Sequence, residues 1–142
     1  MLDYDKISES MDSIVADSLE NMFFLEVSKH DLFWASVKSL TPFKLKISVV
    51  FSEELMYDVA GEAFSMSPSE LSDDMIKDII SEIANTISGK LMGSIIPAST
   101  PYSLDLPVYG KGEVTVGKDV VLLRHYFMNG KLYFVMVEDL SD

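Results

Sequence analysis

The sequence contains no cysteine. That excludes a disulfide framework and any thiolate metal site, and it suits a reducing compartment. Basic residues are scarce: 11 Lys and Arg stand against 23 Asp and Glu, for a formal net charge of −12. Nucleic acid phosphates and anionic lipid head groups are therefore disfavoured as partners. A partner presenting lysines is favoured instead. Two histidines, His30 and His125, stand alone, whereas a zinc site normally draws on three or four ligands. No glycine-rich phosphate loop and no calcium-loop spacing occur. The apolar runs are only a few residues long, far short of a membrane span. Met1 to Glu20 is acidic and amphipathic and lacks the basic and apolar regions of a signal peptide, so a cytoplasmic protein is expected.

What the chain does have is apolar content enough for a core: 48% of its 142 residues are hydrophobic. One domain spanning 1–142 is expected. Residues 5–22 read as a first helix, with Ile7, Met11, Ile14, Val15 and Met22 near one side. Phe23 to Ser28 is a short strand candidate and Leu32 to Leu40 a stronger one. Phe43 to Val50 alternates, with Phe43, Leu45, Ile47 and Val49 on one face and Lys44, Lys46 and Ser48 on a face expected to be wet. Ser52 caps a second helix running to about Met66, whose buried face is Leu55, Met56, Val59, Ala60, Ala63 and Phe64. Later strands are expected near Tyr102–Leu106, within Val108–Val116 around a turn or bulge at Gly110 and Gly112, and over Val120–Met128 and Leu132–Val137. Asn129-Gly130 is the hairpin signal between the last two, because both residues tolerate positive φ. Glu138 to Asp142 reads as a frayed end. The fold class is α+β, two pseudo-symmetric halves of helix plus antiparallel meander, with a long helix packed on the sheet.

That long helix is Ser72 to Pro97, SDDMIKDIISEIANTISGKLMGSIIP. Ser72 is the N-cap, Asp73 and Asp74 sit at the positive end of the helix dipole, and Pro97 is the stop. Residues 73–95 would span about 35 Å. At 100° per residue, Ile76, Ile80, Ile83, Ile87 and Leu91 fall on one side. Asp78, Glu82, Asn85 and Gly89 fall on the other, spaced i, i+4, i+7, i+11. An apolar stripe of this kind is there to be buried. A glycine on the outer face costs about 1 kcal/mol relative to alanine. Close approach by another surface would justify that cost, whereas Asp78, Glu82 and Asn85 alone would read as an ordinary solvated face.

Asp78-x3-Glu82-x2-Asn85 resembles the D/S-x3-E-x2-N signature of the CheC/CheX/FliY family of chemotaxis phosphatases. The continuation Glu82-Ile83-Ala84-Asn85-Thr86-Ile87-Ser88-Gly89 is similar to the CheX-type helix, E-I-x-N-x-I-x-G. One copy of the motif is present, as in CheX-like members, where CheC-type proteins usually carry two. Pro107 stands one residue before the position at which CheC-type proteins carry a proline. The resemblance implies a phosphatase acting on the phosphoaspartate of a CheY-like response regulator, with Asn85 positioning the attacking water and Glu82 docking and orienting the partner. Asp78 and Gly89 would belong to the partner-binding surface. No cofactor of its own is implied, since the regulator holds Mg²⁺, and a homodimer is expected, with Phe43–Val50 as a candidate edge strand.

The residue chemistry is compatible with these roles. A carboxamide both donates to and accepts from one water, and being neutral it does not repel a phosphoryl group. Phosphoryl transfer needs positioning more than covalent help. Glu82, one turn earlier, can form a directional pair with a lysine. The alternative is a non-catalytic module of the same fold that binds a response regulator or dimerises.

Overall fold

The computed structural model describes residues 32–114, 116–128 and 130–141. The helix expected over 5–22 and the strand expected over 23–28 lie outside the described residues. Strands β1 (Leu32–Thr41) and β2 (Leu45–Ser52) form an antiparallel hairpin and lead into helix α1 (Glu53–Phe64). A short 3-10 turn, Pro68–Glu70, connects α1 to helix α2 (Asp73–Ile95). Strands β3 (Ser103–Leu104), β4 (Val108–Gly112), β5 (Val120–Met128) and β6 (Lys131–Asp139) complete the chain.

All pairings in the sheet are antiparallel. Hairpins β1–β2 and β5–β6 join through their second strands, β2 against β6, which gives the sheet an approximate two-fold centre. The outer edge of β1 is shared, β4 pairing with Leu32–Ser36 and β3 with Ser39 and Thr41. The sheet is thus the α+β, pseudo-symmetric arrangement expected, but β2 is central. Phe43–Val50 is therefore not an edge, and Phe43 itself lies before the strand and is exposed. Among the described residues the free edge on the far side is β5.

Both helices pack on one face of the sheet. Phe33, Ala35 and Val37 of β1 and Val49 and Phe51 of β2 alternate toward them, as a period of two requires. From the helices come Leu55, Met56 and Ala60, and Ile76, Ile80 and Ala84. Ala63 and Phe64, expected inside, are exposed at the end of α1, where Ser65 takes a left-handed cap with φ 54°. Ser52 caps α1 by accepting from the Leu55 amide at 3.3 Å.

The opposite face of the sheet is not wet. Leu32, Val50 and Phe134 are buried there, with Trp34, Val114 and Leu123 packed around them. Ser36 and Ser48 are buried on this face and satisfy one another through an Oγ–Oγ hydrogen bond of 2.7 Å. The polar look of Lys46 and Ser48 concealed this second core, because one hydroxyl can be buried when another answers it. Gly110 is likewise no turn: it pairs with Trp34 inside the β1–β4 ladder, and the indole occupies the space a Cβ would need. Gly130, with φ 73°, does make the β5–β6 turn. Glu138 and Asp139 are not frayed but pair with Lys46 and Leu45 in β6.

Candidate functional site

Helix α2 forms within the bounds that its caps dictate. Ser72 Oγ accepts from the Met75 amide at 3.3 Å, Asp73 and Asp74 occupy the first turn, and Ile96 turns extended before Pro97. Its fully buried residues are Ile76, Ile80, Ala84, Ser88 and Met92, one every four residues. Ile83 and Ile87, expected in the stripe, are only half-buried, as is Leu91. The i, i+4 row is a packing ridge inclined to the helix axis, so a helix crossing a sheet buries that ridge rather than the straight line of its largest residues.

Burying this ridge leaves the motif row outside. Asp78, Glu82 and Asn85 are exposed, and Gly89 is half-buried. From Asp78 to Gly89 the row runs about 16 Å along the axis. Among the described residues none of the three side chains is held by a hydrogen bond or ion pair; the lysine ion pairs involve Lys131 with Glu54 and Asp58. All four expected site residues are therefore on one accessible line. A Cβ added at Gly89 meets nothing within 4 Å. The glycine is not demanded by packing within the described chain.

One neighbour of the row was not visible in the sequence. Tyr102, in the loop after α2, donates its hydroxyl to the Gly89 carbonyl at 3.3 Å. Seven residues on, Tyr109 of β4 stacks on Phe33. Its hydroxyl pKa is raised by burial and by the nearby charge of Asp73 at the start of α2. The segment from Tyr102 to Tyr109 thus links the glycine end of α2 to the β1–β4 part of the sheet. Only an interaction between residues far apart in sequence reveals this, and no periodicity reports it.

Among the described residues no group of three or more His, Asp and Glu side chains could hold a metal ion. No helix among them is long and apolar enough to cross a membrane.

An antiparallel α+β domain with a single acid-carboxamide-glycine row on its longest helix is the class defined so far. The family model "Chemotaxis phosphatase CheX" matches residues 35–120, which include most of β1, all of β2, both helices and the whole row. The chain belongs to the chemotaxis phosphatase CheX family. No curated protein matches the sequence. Among solved structures, the chain is similar to the chemotaxis protein CheX of Vibrio vulnificus, at 16% identity and a TM-score of 0.56, covering 76% of this chain and 74% of that one. It is similar to CheX in a CheX–CheY–BeF3–Mg²⁺ complex from Borrelia burgdorferi, at 16% identity and a TM-score of 0.60, covering 75% and 74%. A chemotaxis protein described as putative, from Desulfovibrio vulgaris Hildenborough, aligns at 19% identity and a TM-score of 0.59, covering 74% and 70%. At these identities the structures establish a shared fold.

Proposed function

We propose that the protein hydrolyses the phosphoaspartate of a CheY-like response regulator in the cytoplasm. The observation that carries this reading is the Asp78-Glu82-Asn85-Gly89 row: its three polar side chains are exposed and have no hydrogen bond or ion pair among the described residues, on the side of the helix away from a fully buried ridge and within the matched family segment. Membership of a phosphatase family and the likeness to a CheX bound to CheY support the choice of substrate.

In the step proposed, Asn85 holds a water through its carboxamide, in line with the phosphorus. The water oxygen bonds to phosphorus as the bond to the aspartyl oxygen breaks. The products are the free aspartate of the regulator and inorganic phosphate, and the proton of the water leaves with the phosphate. Glu82 pairs with a lysine of the regulator and fixes the angle of approach. Asp78 extends that contact toward the helix start, and Gly89 leaves room for the partner's loops. The regulator supplies Mg²⁺, so this chain needs no cofactor of its own.

The test is the decay of a phosphorylated CheY-like regulator in Mg²⁺, with and without the protein. Acceleration by the wild type is expected, lost in Asn85→Ala and strongly reduced in Glu82→Ala, with circular dichroism unchanged in both. Full activity in Asn85→Ala would remove the mechanism.

A second reading, a docking or dimerising module, is favoured by one feature. Strand β5, the free edge among the described residues, carries exposed apolar side chains, Val121 at 63% and Phe127 at 64% among them. Such an edge is a template for strand pairing with a second copy. A homodimer in sedimentation, broken by Phe127→Lys, is the expected outcome. A wild type that sediments only as monomer would sink the dimer.

A further inference from the structure

We infer that Tyr102 is a docking residue for the incoming regulator, an aromatic anchor at the glycine end of the motif row. This rests on the phosphatase reading of that row and adds to it a residue that lies outside the helix. Tyr102 is 40% exposed and belongs to neither buried cluster of the sheet. Its ring therefore does little for the core. Yet the side chain is fixed at both ends. Its hydroxyl is tied to the Gly89 carbonyl at 3.3 Å. Its backbone is tied to the sheet through the next residue, Ser103, which pairs with Thr41 in strand register and shares an Oγ–Oγ1 hydrogen bond of 2.9 Å with it. Asp105, two residues further, donates its amide to the Lys38 carbonyl at 2.8 Å.

An exposed aromatic ring held in one orientation is a pre-organised contact. Little rotamer entropy remains to be lost when a partner lands on it. Tyrosine is also among the residue types that concentrate binding energy at interfaces. The hydroxyl reaches the helix at the Gly89 carbonyl, while the space that a Cβ would take at Gly89 stays open. A partner loop that enters this open space to reach Asn85 passes beside Tyr102. The surface it crosses is acidic along its length, through Asp73, Asp74, Asp78, Glu82 and Asp105, all exposed. That charge suits a lysine-bearing partner already committed to Glu82. Leaving the hydroxyl bonded to Gly89 and presenting the ring flank to the partner uses both halves of an amphipathic side chain.

The experiment compares Tyr102→Ala and Tyr102→Phe with wild type in the regulator dephosphorylation assay. It adds titration of a beryllofluoride-loaded CheY-like regulator. We expect Tyr102→Ala to raise KM and the dissociation constant together by about tenfold, the loss typical of one interface anchor. The kcat should stay within about twofold of wild type, since the ring does not touch the reacting atoms. Tyr102→Phe keeps the ring and loses the tether, so a rise of only about two- to threefold is expected. Unchanged KM and affinity in Tyr102→Ala, beside a wild type that accelerates decay, would overturn this inference alone. A fall in kcat with unchanged affinity, or a melting temperature lowered by several degrees, would mark the residue as structural and overturn it as well. A wild type that fails to accelerate decay would overturn the phosphatase reading and the inference with it.

Discussion

Replacing Gly89 by alanine separates what the fold wants from what the partner wants. Gly89 lies inside a 23-residue helix, six residues before its last position, Ile95. Its backbone is not in the left-handed region, and an added Cβ meets nothing within 4 Å. Alanine therefore gains its helix propensity without a steric charge against it, about 1 kcal/mol. For a chain of this size that raises the melting temperature by about 3–5 °C. The new methyl projects from the row that the regulator must approach. Displacing a reacting water or a partner loop by even 1 Å can cost up to about a hundredfold in rate, so kcat/KM is expected to fall by about tenfold or more. Gly93 provides the control. It also has open space for a Cβ but lies beyond the row, so Gly93→Ala should stabilise to a similar degree and retain activity. Differential scanning calorimetry and the dephosphorylation assay read the two effects independently. A Gly89→Ala protein that is both more stable and fully active would refute the argument that the glycine serves a partner. One that is less stable would refute the claim that the space there is open.

Other outcomes follow from the same packing. Gly110→Ala forces a Cβ into the Trp34 ring within the β1–β4 ladder, so a loss of about 1–3 kcal/mol is expected in chemical denaturation, and Trp34 fluorescence should shift as the indole moves. Ser88 is fully buried on α2 and its hydroxyl finds no hydrogen-bond partner among the described residues, so Ser88→Ala should stabilise by about 1 kcal/mol; a destabilised variant would show that the hydroxyl is satisfied in solution. Lys131 bridges Glu54 and Asp58, linking the start of β6 to α1, and the hydrogen bonds it donates to Asp58 and Glu54 raise its pKa. Its contribution is present below the ordinary lysine value of 10.5 and is lost as pH rises through the raised folded value, so Lys131→Met should lower the melting temperature at pH 8 and make little difference at strongly alkaline pH. High salt should shrink the same difference, because the lysine is partly exposed.

Legibility in the sequence followed how local each determinant is. The limits of α2 were readable because a serine cap, two first-turn aspartates and a terminal proline act within a few residues. The motif row was readable because i, i+4 and i+7 spacing fixes a common face whatever the helix packs against. The buried ridge was not, since a hydrophobicity pattern selects large residues such as Ile83 and Ile87, while the ridge that packs on the sheet also takes in small ones, Ala84 and Ser88. The central place of β2 could not be read from its alternation, because one alternating strand looks the same whether one neighbour or two flank it. The second core hid behind Ser36 and Ser48, whose mutual hydrogen bond exists only once β1 and β2 are in register. Tyr102 lay thirteen positions from Gly89 and carried no periodic mark at all.

The site and the core are two faces of one helix, and that coupling has a mechanical consequence. Five residues of α2 are fully buried at four-residue intervals, which pins the helix against rotation on the sheet as well as against translation. Rotating it by one residue's 100° would bring Asp78, Glu82 and Asn85 toward the core, where unpaired carboxylates are costly. The row is thus held outward by the penalty for burying it and inward by the ridge behind it. A site placed on such an element keeps its geometry without hydrogen bonds among its own side chains. The carboxylate of Glu82 and the carboxamide of Asn85 are exposed, and among the described residues no hydrogen bond or ion pair has to be broken before docking. Exposed side chains on a backbone fixed in this way suit the proposed phosphatase step, which asks of this chain one positioned water and one guiding charge.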